Sequence, residues 1–522
     1  MKEARWFDLS TCPDLKTVET QICLIGAGAA GLYLATQLAN QGLQVLIVEA
    51  GSKTCVDTKT IGFEPVFTAA PYPGATLGRF FGVGGSTARW GGALVPHSEV
   101  DRRDRGALEN SWDRIVEVVA ARSQAVLQQL GYPQQGNFFS FADSLLPDTA
   151  SLLKCSGIDL QSGLYLPFQQ KNLRGLLSHR PASSGDLTIV FNAVAHRWQP
   201  QSGSQGWRLG ELTAIARNGH QLTVRARQFV IAAGAIESTR LLLEMGESSS
   251  RSLFKPTMAL GHYLGDHLSL PIADVTEASL GRASHLFAPR FVGDWMRSFR
   301  FLERATQPSL PRSFAHFIFD HQTAGFKLAK TVLSSVQQRR LPSLDLAEVS
   351  QGVGGLVGLA YGRYAQSRLH IPAGTPTHLS LDMEQIPAYG NRIRLTDRKD
   401  GYGRRVVSID WQISDQDRAM LAKVAHSFLS KWPGAAAGLP SLQPKVMGES
   451  TCKPYDAYHP TGTCHLGDGP EAVVDSNLRV WGSENLWVVS TAVLPSAGTA
   501  NPTFTLLCLA HDLADRLAKI GR

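Results

Sequence analysis

The sequence predicts an α/β protein, and three stretches carry that reading. They are a strand-glycine-helix-strand unit at residues 20–51, a second strand-glycine-helix unit at 228–246, and strand-like alternation at 376–413. In the first, TQICLIGAGAAGLYLATQLANQGLQVLIVEAG, Ile22 to Ile25 is the apolar run that a buried parallel strand needs, and Leu32 to Asn40 has the spacing of an amphipathic helix. Gly42 then turns the chain into a second strand that ends at Glu49. Gly26, Gly28 and Gly31 form G-x-G-x-x-G between strand and helix. Gly26 allows the tight turn, Gly28 lets a pyrophosphate approach the backbone, and Gly31 lets the helix pack closely on the sheet. This is a Rossmann-type dinucleotide unit: phosphates meet the free amides of the helix N-terminus, and Glu49 is placed to hold a ribose hydroxyl pair.

The second unit, QFVIAAGAIESTRLLLEMG, has a buried strand from Val230 to Ala233, a break at Gly234 and a helix opening near Glu237. Two further strands, at 187–194 (LTIVFNAV) and 221–225 (QLTVR), precede it. Strands that return so late to a sheet begun near residue 21 imply a domain assembled from discontinuous segments, drawn here as 15–115, 185–275 and 455–522, with a lid segment at 116–184. The remainder, 276–454, forms a second domain with an antiparallel sheet and helices. Alternation in THLSLDMEQ and RVVSIDWQI predicts that sheet, with one face roofing the dinucleotide. Within it, 290–304, RFVGDWMRSFRFLER, reads as a helix with an apolar core face and a solvated basic face, and 321–350 reads as helical.

Composition narrows the class. A chain of 522 residues with 43% hydrophobic and 18% charged residues is too long for one ordinary core and too apolar for disorder. Its 51 basic and 44 acidic residues give a mild excess of +7 without a basic run interleaved with aromatics, which argues against nucleic acid. The seven cysteines are dispersed and never spaced as C-x-x-C, so neither a disulfide framework nor structural zinc is expected. The start, MKEARWFDLSTCPDLKTVET, lacks the apolar core of a secretory signal, and no stretch reaches the length of a membrane span; a cytoplasmic protein is expected.

YHPTGTCHLG at 458–467 is the densest cluster of reactive side chains. Taken alone, His459, Cys464 and His465 suit a metal site, a cysteine nucleophile or a general base. Only Asp468 is near enough to add a ligand, and no zinc-type pattern exists, so no metal is expected. Nothing marks Cys464 out from a small buried thiol, and His465 reads as a satisfied polar side chain.

Several motifs in order resemble one family over nearly the whole chain: GAGAAG…VEAG at the N-terminus, GVGGSTARWGG at 82–92, AAGAIESTRLLL at 232–243, LGHYLGDH at 260–267, and the run from YHPTGTC to GTANPTFT. They are similar to the glucose-methanol-choline (GMC) oxidoreductases, and EQIPAYGNRIRLTDRKDGYG at 384–403 resembles the substrate domain of bacterial members. The resemblance implies FAD as cofactor and oxidation of a primary or secondary alcohol, on a sugar-like or aminoglycoside-like polyol. It also implies that His459 is the base and Asn501, in TANPTFT, its partner. A few members instead carry out redox-neutral cyanohydrin lyase chemistry, and a flavin-binding interaction protein without turnover is the third reading. The electron acceptor, whether oxygen, a quinone or a protein, is not written in these motifs.

Chemistry agrees with the assignment of His459, because hydride leaves an alcohol carbon as the hydroxyl proton departs and a neutral imidazole is its natural acceptor. Activity is therefore expected to rise with pH through an ionisation in the histidine range. Asn501 holds the hydroxyl without competing for the proton. The glycine-dense loop places Gly85 and Ser86 against the cofactor. Some members link FAD through a histidine just before the tryptophan; here Arg89 precedes Trp90, so non-covalent FAD is expected. Val194, in NAVAHRW, matches a residue that meets the adenine. In LWVVSTAVLPS, Ser490 stands where an acid is usual, which leaves the backbone amide of Thr491 to bond the cofactor.

Overall fold

The computed structural model describes residues 2–102, 109–133, 141–178, 180–249, 252–304, 310–320, 331, 358–446 and 453–521. Nearly all of the stretch expected to be helical at 321–350 lies outside the described residues, as does Cys452. Among the described residues, the apolar runs form two large sheets, each with its own core.

The first sheet runs in the order Arg5–Asp8, Leu187–Phe191, Val45–Val48, Thr17–Ile25, Gln221–Ile231, Trp207–Ile215 and Val194–Ser202, with Leu486–Val488 added beside Gln221–Ile231. Its first five strands are parallel, and the other two of that order close it as an antiparallel ribbon. All four residues of Val45–Val48 and the last four of Thr17–Ile25 are buried, the continuous apolar pattern of strands covered on both faces. Helices Ala29–Asn40, Glu109–Gln129 and Pro502–Gly521 pack together over this sheet, which draws on both ends of the chain. The stretches expected at 187–194 and 221–225 are strands, but the first stops at Phe191, where Asn192 takes a φ of +52°, and Val194 begins the next strand. Both glycine units start their helices earlier than expected, at Ala29 and Gly234, because the turn at each glycine runs directly into helical backbone.

The second sheet is antiparallel: Leu442–Pro444, His267–Val275, Thr377–Glu384, Ser313–Phe319, Trp295–Glu303, Ile158–Tyr165 and Ala93–Leu94. Tyr455–Asp456 pairs with the strand that begins at His267, which carries the C-terminal motif to that strand's start. The region 376–413, expected as one sheet, is divided. Thr377–Glu384 joins this sheet, while Arg392–Lys399 and Arg405–Asp410 form a hairpin that pairs with Val66–Phe67.

The reading of 290–304 as a helix is corrected. The segment is a hairpin, Arg290–Val292 and Trp295–Glu303, in which Val292 faces Trp295 across a two-residue turn where Gly293 adopts a φ of +58°. Its basic residues are not all solvated either: Arg297 and Arg300 are 3% and 4% exposed. Their guanidinium groups lie 3.6 Å and 4.0 Å from the ring centroids of Phe141 and Phe314, so aromatic faces take the place of water. The period of two in Trp295, Arg297, Phe299 and Phe301 is the signal that a search for basic and apolar helix faces overlooks.

Candidate active site

A cavity of about 640 Å³ gathers both glycine units, the 82–92 loop and the C-terminal motif. Its size falls within the usual range for organic ligands. Its wall includes Gly26, Gly28, Glu49, Ala193 and Ala195 from the glycine units and their neighbours, and Tyr458, His459, Pro460, Ser490 and Thr491 from the C-terminal motifs.

The residues around the glycine turn fit a dinucleotide. Helix Ala29–Asn40 has Gly28 at its N-cap, no side-chain cap and no acid in its first turn, so its amides remain available to an anion. A Cβ built on Gly28 would meet nothing within 4 Å, which marks open cavity rather than packed protein. Gly26 sits at a φ of +108°, and Gly85, at +52°, brings its loop so close that a Cβ there would lie 2.9 Å from Gly28 Cα. Glu49 ties the site together. One carboxylate oxygen accepts from the Ala27 amide at 2.6 Å and the other from Gly51 and Gly82 at 2.8 Å and 2.9 Å. Burial raises its pKa against the lowering effect of these amides.

Not every predicted cofactor residue lines the cavity. Gly31 lies under the turn, where an added Cβ would sit 2.0 Å from the Gly26 carbonyl oxygen, which is the close packing its place in the pattern implies. Val194 is fully buried among Ile61, Phe63 and Phe81, and the cavity wall is formed by its neighbours Ala193 and Ala195. Ser86 lines the cavity while its hydroxyl donates to the Gly78 carbonyl at 3.0 Å. Ser490 and Thr491 line it too. The Ser490 hydroxyl accepts from the Ala492 amide, and the Thr491 hydroxyl donates to the Pro460 carbonyl at 2.7 Å, joining the two C-terminal motifs.

In the C-terminal motifs, His459 and Asn501 come together: Asn501 Nδ2 is 3.3 Å from His459 Nε2. Nδ1 of His459 faces Nδ1 of His267 at 3.0 Å. The ring reaches the cavity, yet dense protein around it and the neighbouring His267 push its pKa down to about 3. The expected ionisation in the histidine range is therefore corrected: His459 is neutral throughout the ordinary working range. Cys464 is fully buried and burial pushes its thiol up to about 12, which removes the thiolate a nucleophile requires. His465 is buried with its ring edge-on to Tyr263, and its Nδ1 has no hydrogen-bond partner among the described residues.

Two positions that the sequence reading left without a role, Asp266 and His267, hold His459 in place. Asp266 is fully buried and accepts from the backbone amides of His459 and His267 and from the Tyr72 hydroxyl at 2.5 Å. Burial pushes this carboxyl up to about 8. Asp266 thereby pins the chain at His459, whose preceding residue Tyr458 has a φ of +64°. Both Asp266 and His267 belong to LGHYLGDH, so the signal was in a motif already singled out. The other omission is Glu237, on the cavity wall with Arg79 and Arg404. Burial alone would raise its carboxyl, but Arg240, Arg79 and Arg404 outweigh it and hold the pKa below the usual value.

Comparison with known proteins follows the same lines. A family model described as GMC oxidoreductase matches residues 387–510, and one for an NAD(P)-binding Rossmann-like domain matches 24–77. The chain is 26% identical to paromamine 6'-oxidase of Streptomyces fradiae, with 96% of this chain and 91% of that one covered. It is 24% identical to 6'''-hydroxyparomomycin C oxidase of Streptomyces lividus, covering 96% and 93%. Among solved structures, pyridoxine 4-oxidase from Mesorbium loti superposes with a TM-score of 0.57 at 17% identity, over 95% of this chain and 99% of that one, a likeness of fold.

Proposed function

We propose that the chain is a GMC oxidoreductase, an FAD-dependent enzyme that oxidises a primary or secondary alcohol of an aminoglycoside-like polyol with Nε2 of His459 as the base, a reading supported by the GMC oxidoreductase model over 387–510 and by the relatives that span the chain. The observation that carries this reading is a cavity lined both by a bare glycine turn fit for a dinucleotide and by His459, whose Nε2 has the Asn501 amide nitrogen 3.3 Å away. The curated relatives that span the chain are named as oxidases of aminoglycosides, which supports the substrate class.

Bound FAD supplies the hydride acceptor. Gly26, Gly28 and the first amides of helix Ala29–Asn40 would hold its pyrophosphate, Glu49 its ribose, and Gly85, Ser86 and the Thr491 amide the remainder. Among these, Glu49 keeps spare lone pairs after accepting its three amides. A substrate hydroxyl entering between His459 and Asn501 donates to Nε2 and accepts from Nδ2. As the proton passes to Nε2 the oxygen retains the electron pair, and the Asn501 amide steadies the charge that gathers there.

The test is an anaerobic panel in which paromamine, other aminoglycosides, simple sugars and aliphatic alcohols are mixed with the purified yellow enzyme. Bleaching of the flavin by the aminoglycosides is expected; no bleaching by any alcohol would favour lyase chemistry or an interaction role. Arg89 leads to a second expected result. It lies on the cavity wall with its guanidinium 4.8 Å from the Phe80 ring centroid, in the place of the linking histidine. Acid or heat denaturation should therefore leave FAD in the supernatant and a colourless pellet. A third concerns Asn501: Asn501→Ala should slow flavin reduction by roughly ten- to a few hundred-fold, since one neutral hydrogen bond is worth about 0.5–1.5 kcal/mol and more when a partner is stranded. Stopped-flow reduction at the wild-type rate would remove Asn501 from the mechanism.

A further inference from the structure

His459 is held by a second histidine that the proton transfer itself does not use. His267 is fully buried at the start of the strand His267–Val275, edge-on to Phe314. Its Nε2 lies 3.0 Å from the Gly498 carbonyl oxygen, and its Nδ1 lies 3.0 Å from Nδ1 of His459. A carbonyl only accepts, so Nε2 of His267 carries the hydrogen. A neutral imidazole has one N–H, so Nδ1 of His267 is bare and accepts. Burial keeps this ring neutral by lowering its pKa. The His459 nitrogen that faces it must then donate. That leaves Nε2 of His459 bare, on the side where the Asn501 amide nitrogen, which only donates, stands at 3.3 Å.

From this ordered chain of donors and acceptors we infer that His267 is a positioning residue: it fixes His459 in the Nδ1–H tautomer and thereby presents the Nε2 lone pair to the substrate hydroxyl. The inference rests on the reading of His459 as the base. In the opposite tautomer Nε2 would carry a hydrogen and could not take the proton, and two bare Nδ1 atoms would face each other at 3.0 Å. When the substrate O–H bond breaks and the Nε2–H bond forms, the oxygen keeps its pair. The charge that appears on the His459 ring then meets the lone pair of His267 through the Nδ1–H already directed at it. The Gly498 carbonyl anchors the chain at its far end, three residues before Asn501.

The test uses the full-length FAD-loaded enzyme with nitrogen-15 histidine. His459 resonances are identified by their loss in His459→Gln. The wild type is expected to give the Nδ1–H, bare Nε2 pattern. His267→Leu should shift His459 toward a tautomer mixture and slow flavin reduction by about 10- to 100-fold, taking as a guide the scale for removing the partner that orients a metal-ligating histidine. His267→Asn, whose side-chain oxygen can accept from Nδ1–H, should restore most of the rate. In a His459→Ala background, His267→Leu should cost nothing further. An Nε2–H pattern in the wild type overturns the inference even if the variants fail to fold. So does equal slowing by the Leu and Asn variants with the tautomer unchanged, or a loss that adds in the double variant. His459→Ala reducing at the wild-type rate would instead sink the base reading, and with it this one. An Nε2–H pattern beside a slow His459→Ala would sink only this one.

Discussion

His459→Ala is expected to lower the rate of flavin reduction by alcohol on the order of 10²–10⁴-fold, the usual contribution of a positioned general base, while FAD stays bound. The retention of cofactor follows from the geometry. His459 touches His267 and Asn501, whereas the turn at Gly26 and Gly28 is held by Glu49 through the backbone amides of Ala27, Gly51 and Gly82, none of which bonds His459. Stopped-flow reduction and the visible flavin spectrum of the purified variant check the two halves separately. Wild-type reduction would move the base elsewhere, and flavin loss would assign His459 to cofactor binding instead.

The pH dependence sharpens this prediction. Only the neutral ring accepts a proton, and burial with His267 beside it places the His459 ionisation at about 3. Reduction should therefore be level through the weakly acidic and neutral range, falling only as the pH drops toward that value. An acid limb near the ordinary histidine pKa of about 6.5 would contradict the buried environment. The same shift bears on stability. Between the unfolded value of about 6.5 and the folded one the unfolded chain binds the extra proton, so the contribution of a neutral His459 is present above about 6.5 and is lost as the pH falls through that window.

The glycine turn was far more legible in the sequence than the surroundings of His459, for a physical reason. A G-x-G-x-x-G turn is local: Gly26, Gly28 and Gly31 act on one another within one turn, so spacing alone describes the object. The support of His459 is made by residues distant in sequence. Asp266 and His267 reach it across 192 to 193 positions and the Gly498 carbonyl closes the chain, so pairing appears only once strand His267–Val275 is laid beside Tyr455–Asp456. The error at 290–304 has the same origin. Whether Arg297 faces water or Phe141 depends on a helix outside the segment, and intrinsic patterning cannot choose between a basic surface face and a buried cation on an aromatic ring. Val194 differs again. As a strand residue it has two faces, and one register step decides that Ala193 and Ala195 meet the cavity while its own side chain packs on Phe63 and Phe81.

Gly28→Val should yield a folded, colourless protein, whereas Gly31→Ala should damage the fold itself. The two glycines stand three residues apart in one motif, yet their surroundings are opposite. Gly28 has a φ of −77° and ψ of −167°, an extended conformation open to any residue, and a Cβ there would point into empty cavity. The side chain would grow from that open position into the space a pyrophosphate needs at the helix N-terminus. Helix capping changes little, since Gly28 contributes no side chain to it. At Gly31 a Cβ would lie 2.0 Å from the Gly26 carbonyl oxygen and 3.1 Å from its carbon, backbone atoms that cannot swing aside. Relief requires the helix to move off the sheet, a strain of about 1–3 kcal/mol or more for overpacking of this kind. The measurement compares both variants with flavin-stripped wild type by thermal melting, and with loaded wild type by flavin content. Gly28→Val is expected to melt with the apo-protein and bind no FAD; Gly31→Ala is expected to melt lower. Full flavin occupancy in Gly28→Val would mean that the pyrophosphate does not cross this turn, and an apo-like melt in Gly31→Ala would mean that the helix can shift without cost.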